Sequence, residues 1–235
     1  AQEKGIFSWI FGKEDKPSEK VPAEWTIMVY SSAKNDLEKF LLADLNEMEL
    51  IGSTGKVNIV AEVGRIDGYD ASDGDWKGVR RYYITKDSDK AKIGSKMLQD
   101  MGMLDQGDYR TLAAFGKWAK AAYPARRYAL ILWDHGSGWK PMLSANILDF
   151  ANTRGISLDE ETGHEISTVQ LGAALKAAGG VNFFMADVCN MQMASVAYEL
   201  KDYAEVMVAS EELEPEIIVR YAEFLTMLNN KPGST

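Results

Sequence analysis

From Trp25 onward, short apolar runs alternate with longer segments in which apolar residues recur every three or four positions. The short runs carry few charges, which is typical of strands buried on both faces of a sheet. The predicted strands are WTIMVYSSA, KVNIVAEVG, VRRYYIT, RRYALILWDHG, VNFFMADVC and AEVMVAS, and the predicted helices are NDLEKFLLADLNEMELIG, DYRTLAAFGKWAKAAYP, STVQLGAALKAAGG, MQMASVAYELKD and IIVRYAEFLTML. Strands separated by helices predict an α/β fold, with a mostly parallel sheet covered by helices on both faces.

The residues between these elements support the boundaries. Asn35 is a suitable N-cap for the first helix, and Gly52 is a suitable stop after it. Pro124 ends the second helix, because proline cannot continue the backbone hydrogen bonding. The polar, glycine-punctuated segments 65–78 and 148–163 are predicted to be loops.

Two reactive residues lie where a predicted strand has just ended. His135 follows YALILWD, and Cys189 comes shortly after VNFFMAD. Ligands of parallel α/β sheets bind in the crevice beyond the carboxyl ends of the strands. A right-handed crossover between these two strands would make them neighbours, so we expect the imidazole and the thiol to meet at one edge of the sheet.

A thiol beside an imidazole is the arrangement of a cysteine nucleophile and its base. The helix predicted directly after Cys189, together with the His135 imidazole, favours the reactive thiolate. Gly136 allows the backbone to approach a substrate closely, and its N–H is a candidate donor to an oxyanion. The alternative is that Cys189 is a small buried hydrophobic residue.

Composition excludes several classes of function. The chain has 26 basic and 35 acidic residues, a net charge of −9, which disfavours nucleic acid and anionic lipid as partners. Its single cysteine excludes an intramolecular disulfide and zinc sites built from several thiolates. No apolar run approaches the ~20 residues of a transmembrane helix.

No cofactor is required by any motif in the sequence, and no metal centre is predicted. The loop 65–78 carries four aspartates that could bind calcium, but their spacing does not match an EF-hand. These aspartates are Asp67, Asp70, Asp73 and Asp75. A turn between strands is the favoured interpretation, and weak calcium binding remains open.

Five segments together resemble the clostripain family of cysteine peptidases, which belongs to the caspase-like clan. They are WTIMVYSSAKNDLE, GVRRYYI, YALILWDHGSGW, FFMADVCNMQMASVAYEL and VMVASEELEP. The resemblance implies a caspase-like sheet, His135 as general base and acid, Cys189 as nucleophile, and an oxyanion hole made by the amides of Gly136 and Cys189. It also implies cleavage after arginine or lysine, and maturation by self-cleavage.

Acidic residues near Cys189 are candidates for binding a basic substrate side chain. Asp187 lies two residues before Cys189, so on an extended strand the two side chains point to the same face. A carboxylate there could pair with a cationic P1 side chain, or it could instead organise the turn that follows. After SEE, the resemblance implies a Gly-Trp turn and an acidic residue of the S1 pocket. This chain offers Glu212, Glu214 and Glu216 instead.

The loop 148–163 contains a candidate self-cleavage site at Arg154–Gly155, although an ordinary surface loop is an equal alternative. Lys140 is a second basic residue, but proline follows it. His164 is a rival base, and we interpret it as a solvated histidine in a charged loop.

We divide the chain into an N-terminal segment and linker, residues 1–24, and a caspase-like peptidase domain, residues 25–235, that could lack a further C-terminal part. The missing initiator methionine and the resemblance suggest a secreted, periplasmic or cell-surface protein.

The predicted function is a cysteine endopeptidase with peptides or proteins as substrates, and the oligomeric state is not predicted. One alternative is a catalytically weak or inactive relative that binds proteins or peptides, and another is an esterase or transferase that uses the same thiol.

Overall fold

The computed structural model describes residues 22–138, 155–215 and 219–233. Within these ranges the elements follow the chain in this order: β1 (Ala23–Ala33), α1 (Glu38–Glu49), β2 (Val57–Arg65), β3 (Gly78–Tyr83), β4 (Lys96–Gly102), α2 (Tyr109–Ala122), β5 (Ala125–Trp133), β6 (Gly155–Asp159), β7 (His164–Ser167), α3 (Thr168–Ala177), β8 (Val181–Asp187), α4 (Ala194–Leu200), β9 (Ala204–Val208) and α5 (Tyr221–Asn230).

Seven strands form one sheet in the order β4-β3-β2-β1-β5-β8-β9. The five strands from β2 to β9 in this order are mutually parallel, whereas β3 and β4 pair antiparallel at one edge. The predicted α/β fold with a mostly parallel sheet is confirmed. Crossover helices explain this arrangement, since parallel neighbours need a long connection between them.

Two apolar cores lie on the two faces of the large sheet. Side chains alternate along β1, so that Met28 and Tyr30 face α2, α3 and α4, whereas Ile27 and Val29 face α1 and α5. Both faces of the central strands are therefore buried, which explains why their sequences are apolar throughout. No helix within the described ranges has the length and apolar character needed to cross a membrane.

Three strands were not predicted. The edge strand β4 is mostly exposed and lacks an apolar pattern. The strands β6 and β7 form a separate hairpin, so the prediction of an irregular loop is wrong for residues 155–159. Ile156 and Ile166 of this hairpin are buried in the core, a long-range contact that the polar local sequence does not indicate.

The aspartate-rich loop 65–78 is a turn between β2 and β3 with local contacts, as the favoured interpretation predicts. Asp67 pairs with Lys77, Asp70 accepts hydrogen bonds from Ser72, and Asp73 accepts one from the Trp76 indole. No group of three or more metal-ligating side chains among the described residues is arranged to hold a metal ion. Calcium binding and the division at residue 24 stay predictions, and β1 begins at Ala23.

Candidate active site

Four neighbouring strands contribute polar side chains to one cavity at their carboxyl ends. Its volume is about 340 Å³. The contributing residues are Asp36 after β1, Asp134 and His135 after β5, Asp187 and Cys189 at the end of β8, and Glu214 after β9. The walls are completed by Leu37, Phe40, Trp133, Val188 and Pro215. The described lining contains four carboxyl groups and no lysine or arginine.

The strands β5 and β8 are parallel neighbours, as their sequences predict, with Trp133 opposite Asp187. His135 and Cys189 each lie two residues beyond this pair, and both line the cavity. Because both residues are two positions beyond a directly paired position, they lie at the same level beyond the carboxyl edge of the sheet, although they are far apart in sequence. Parallel pairing therefore brings the predicted imidazole and thiol to one place.

His135 contacts a carboxylate that was not predicted from the sequence. The distance between His135 Nε2 and Asp36 Oδ1 is 2.7 Å, and the two side chains are 30% and 64% exposed. Asp36 follows β1, the other neighbour of β5 in the sheet. The sequence does contain a signal for Asp36, because this residue also follows a predicted strand and therefore lies at the same edge of the sheet as His135.

The turn that carries Asp36 is held by its buried neighbour Asn35. The Asn35 amide nitrogen lies 2.6 Å from Asp134 Oδ1 and 3.0 Å from the carbonyl oxygen of Leu158, and its side-chain oxygen accepts the N–H of Leu37. Asn35 was predicted to be the N-cap of α1, but the helix begins three residues later, at Glu38. The amide instead joins β1 to the end of β5.

The thiol of Cys189 is half-buried and accepts a hydrogen bond from the backbone N–H of Glu214 at 3.3 Å. The residue after it, Asn190, has a φ of 58° and donates its N–H to the carbonyl oxygen of Glu212. The segment after β9 therefore lies against the turn that carries the thiol. The prediction that a helix starts directly after Cys189 is wrong, because α4 begins only at Ala194.

Gly136 lies against the backbone of the thiol-bearing turn. A Cβ atom at this position would come within 2.6 Å of the carbonyl oxygen of Cys189 and within 2.9 Å of Val188 Cβ. Gly136 also pairs with Ile156 of the β6–β7 hairpin, and Ser137 exchanges hydrogen bonds with Gly155. The hairpin thus holds the backbone after His135 close to Cys189.

Asp187 is half-buried in the cavity wall. Its Oδ2 accepts a hydrogen bond from the Tyr221 hydroxyl at 2.5 Å. Burial raises the pKa of Asp187 to about 6, while the bond from Tyr221 opposes this rise. The observed partner is therefore a side chain of α5 rather than the backbone of the following helix. Tyr221 was not predicted to be a site residue, and its hydrogen bond to Asp187 depends on where α5 packs.

Two further carboxyl groups lie near Asp187. Burial, followed by the charge of Asp187, raises the pKa of Glu214 to about 7. Burial also raises the pKa of Asp44 to about 7, although the indole of Trp133 donates a hydrogen bond to it at 2.7 Å. Upward shifts of this kind are expected where carboxyl groups are buried without a nearby positive charge.

The remaining predicted residues lie elsewhere. Glu212 is exposed and outside the cavity lining, whereas Glu214 lines the cavity, and Glu216 lies outside the described residues. His164 is an exposed residue of β7, not of a loop, and its Nδ1 lies 2.6 Å from Asp105, a contact that raises the His164 pKa. Arg154 and Lys140 lie outside the described residues.

Comparison with known proteins gives matches in sequence and in fold. The profile of the clostripain family matches residues 29–235. Clostripain from Hathewaya histolytica is 26% identical, and the match covers 75% of this chain and 36% of that protein.

Two solved structures share the fold. One is a secreted C11 cysteine protease from Bacteroides thetaiotaomicron, in complex with an irreversible peptide inhibitor. It superposes with a TM-score of 0.69 and 23% identity over 88% of this chain and 54% of its own. The other is an inactive zymogen C11 protease from Parabacteroides distasonis. It superposes with a TM-score of 0.64 and 19% identity, and the match covers 86% of this chain and 52% of that protein. This chain spans about half the length of those structures and about a third of clostripain. Since the family profile covers most of the sequence, the chain belongs to the clostripain family of cysteine peptidases.

Proposed function

We propose that this chain is the catalytic part of a cysteine endopeptidase that hydrolyses peptide bonds after arginine or lysine. The observation that supports this best is the shared cavity, which combines a thiol, an imidazole and carboxyl groups without a described basic side chain. Each group follows a neighbouring parallel strand, so the rigid sheet determines their spacing.

In the proposed reaction, His135 accepts the proton of Cys189, and the sulfur attacks the carbonyl carbon of the scissile bond. His135 then donates that proton to the leaving amine, which leaves a thioester on Cys189. Water, deprotonated by the same imidazole, hydrolyses the thioester and regenerates the thiol. These steps need no cofactor.

The backbone around Gly136 and Cys189 is proposed to stabilise the oxyanion. The amides of these two residues are the proposed donors, and the close approach of Gly136 to the backbone of Cys189 supports this assignment. A side chain at position 136 would force the two segments apart.

Replacing Gly136 with alanine is therefore expected to lower kcat/KM at least tenfold and the free energy of unfolding by about 1–3 kcal/mol, the usual effect of overpacking. Peptide hydrolysis and thermal denaturation measure the two effects. Gly55→Ala is the matched control, because a Cβ atom there meets nothing within 4 Å. A Gly136→Ala variant as active as the parent would argue against this oxyanion hole.

The acidic end of the cavity is proposed to be the S1 pocket. Asp187 and Glu214 supply negative charge, and Phe40 and Trp133 are aromatic walls against which an aliphatic stem or a guanidinium can pack. A cationic P1 side chain would provide the positive charge that the described lining lacks.

Two wider proposals concern the processing and the location of the protein. Self-cleavage after Arg154 would place a basic residue in this S1 pocket, in agreement with the sequence of that segment. Secretion is proposed because the Bacteroides thetaiotaomicron protein that shares the fold is described as secreted.

The direct test is covalent labelling of the folded protein with a peptide that carries arginine at P1 and a thiol-reactive acyloxymethyl ketone. We expect one adduct per chain, located at Cys189 by mass spectrometry, and at least about tenfold slower labelling by the same peptide with glutamine at P1. Absence of labelling in folded, reduced protein would contradict the peptidase and favour a protein- or peptide-binding role.

A further inference from the structure

We propose that Asp36 is a positioning residue for the base: it accepts the Nε2–H of His135 and thereby leaves Nδ1 to receive the proton of Cys189. This inference rests on the proposed function of the site. It is drawn from the 2.7 Å contact between His135 Nε2 and Asp36 Oδ1 and from the rigidity of the turn that holds Asp36.

The residues around Asp36 leave its backbone little freedom. Lys34, Asn35 and Glu38 are all fully buried, although each has a polar side chain. The Lys34 ammonium bonds the carbonyl oxygen of Leu104 and pairs with Asp159, and the Glu38 carboxylate pairs with Arg65 at 2.6 Å.

These contacts cross from the β1–α1 turn to four other parts of the chain. Lys34 reaches the loop after β4 and the β6–β7 hairpin, Asn35 reaches the end of β5, and Glu38 reaches the end of β2. The turn is therefore held by four other parts of the chain, and its one exposed side chain, Asp36, contacts His135. A fixed carboxylate can orient an imidazole, whereas a carboxylate on a mobile loop would not.

The hydrogen bond determines which nitrogen of His135 can act as a base. A carboxylate only accepts, so Nε2 must carry a proton, and the lone pair of the neutral imidazole is then on Nδ1. No hydrogen bond to Nδ1 is found among the described residues. When the thiol proton moves from Sγ to Nδ1, the Nε2–H stays bonded to Asp36.

Because Asp36 is largely exposed, solvent screens its charge, and its main effect is on orientation rather than on electrostatic energy. Two variants of Asp36 distinguish an effect on orientation from an effect of charge. Asp36→Ala removes the acceptor and is expected to lower kcat about tenfold, with KM within about twofold. Asp36→Asn retains an oxygen that can accept the Nε2–H, so its kcat is expected to stay within about threefold of the parent. Asp67→Ala, which removes an exposed carboxylate outside the cavity, is the control and should have no effect.

Imidazole NMR provides a readout that a merely structural role would not change. The chain contains two histidines, so a His164→Gln variant assigns both rings. In the parent we expect an Nε2–H signal from His135 that is protected from solvent exchange, with Nδ1 unprotonated. In Asp36→Ala this protection should be lost, and in Asp36→Asn it should persist.

An Asp36→Ala variant with parental kcat, or one in which only KM rises, would overturn the inference, because Asp36 would then be either idle or a substrate contact. An Asp36→Asn variant as slow as Asp36→Ala, with the protected Nε2–H retained, would also overturn it. The double variant Asp36→Ala/His135→Ala should be no slower than His135→Ala alone. If His135→Ala itself retains activity, the proposed function fails, whatever the result for Asp36.

Discussion

Replacing Cys189 with alanine is expected to lower kcat/KM for arginine peptides by about ten-thousandfold or more, because no acyl-enzyme can then form. The chain has one cysteine, so no other thiol can substitute for the missing nucleophile. Hydrolysis of a fluorogenic peptide measures the loss. Since Cys189 is only half-buried, the variant should unfold within a few degrees of the parent temperature.

The two histidines provide a matched pair of variants for this prediction. His135→Ala should reduce the rate severely, whereas His164→Ala should leave it unchanged, because His164 lies outside the cavity and bonds Asp105. A Cys189→Ala variant with full activity would exclude a cysteine mechanism for this chain. Comparable losses in both histidine variants would indicate a structural effect instead.

Replacing Asp187 with asparagine is expected to lower kcat/KM for arginine peptides by about a hundredfold, because a partly desolvated charge pair contributes roughly 2–5 kcal/mol. Peptides with a neutral P1 residue should change less than about threefold. The asparagine side chain can still accept the hydrogen bond of Tyr221, so the wall should keep its shape.

The same substitution is expected to stabilise the folded chain near neutral pH. The folded-state pKa of Asp187 is raised from 3.8 to about 6, so ionisation opposes folding as the pH rises between these two values. Above about pH 6 this penalty is fully present, and Asp187→Asn removes it, a gain of up to about 3 kcal/mol in the free energy of unfolding. Below about pH 4 the gain should vanish. Denaturation of both proteins at pH 4 and pH 7.5 tests the sign.

Binding of a small arginine analogue such as agmatine to the Cys189→Ala protein isolates the pocket from catalysis. Its affinity should rise with pH from about 5 to about 8, because Asp187 and Glu214, with pKa values of about 6 and about 7, must ionise to attract it. Glu212→Gln is the control, since Glu212 comes from the same acidic stretch but lies outside the cavity. A pH-independent affinity, or an equal loss in Glu212→Gln, would contradict the assignment of the S1 pocket.

Local sequence was sufficient for the central sheet and insufficient at its edges. The apolar runs of β1, β2, β5 and β8 are recognisable because both of their faces are buried. The strand β4 is mostly exposed, so burial does not impose an alternation of apolar and polar residues on its sequence. The hairpin β6–β7 is short and polar, and its two buried isoleucines reach the core only through packing with distant elements.

The residues near the thiol were also predicted only in part from the local sequence. Asp187 was found because it ends a predicted strand only two positions before Cys189, so the chain itself keeps the two residues close. The choice between Glu212 and Glu214 could not be made, because it depends on how the irregular segment after β9 lies against Asn190. Tyr221 reaches Asp187 only because α5 packs beside α1 on the same face of the sheet.

The sequence by itself determined the fold class and the strand ends that carry His135 and Cys189, because burial on both faces leaves a continuous apolar pattern and parallel connectivity makes those strands neighbours. Tertiary structure alone decided which carboxylates complete the site. Asp36 and Glu214 come from two separate segments, and their positions depend on long-range packing and on buried ion pairs that no local pattern encodes.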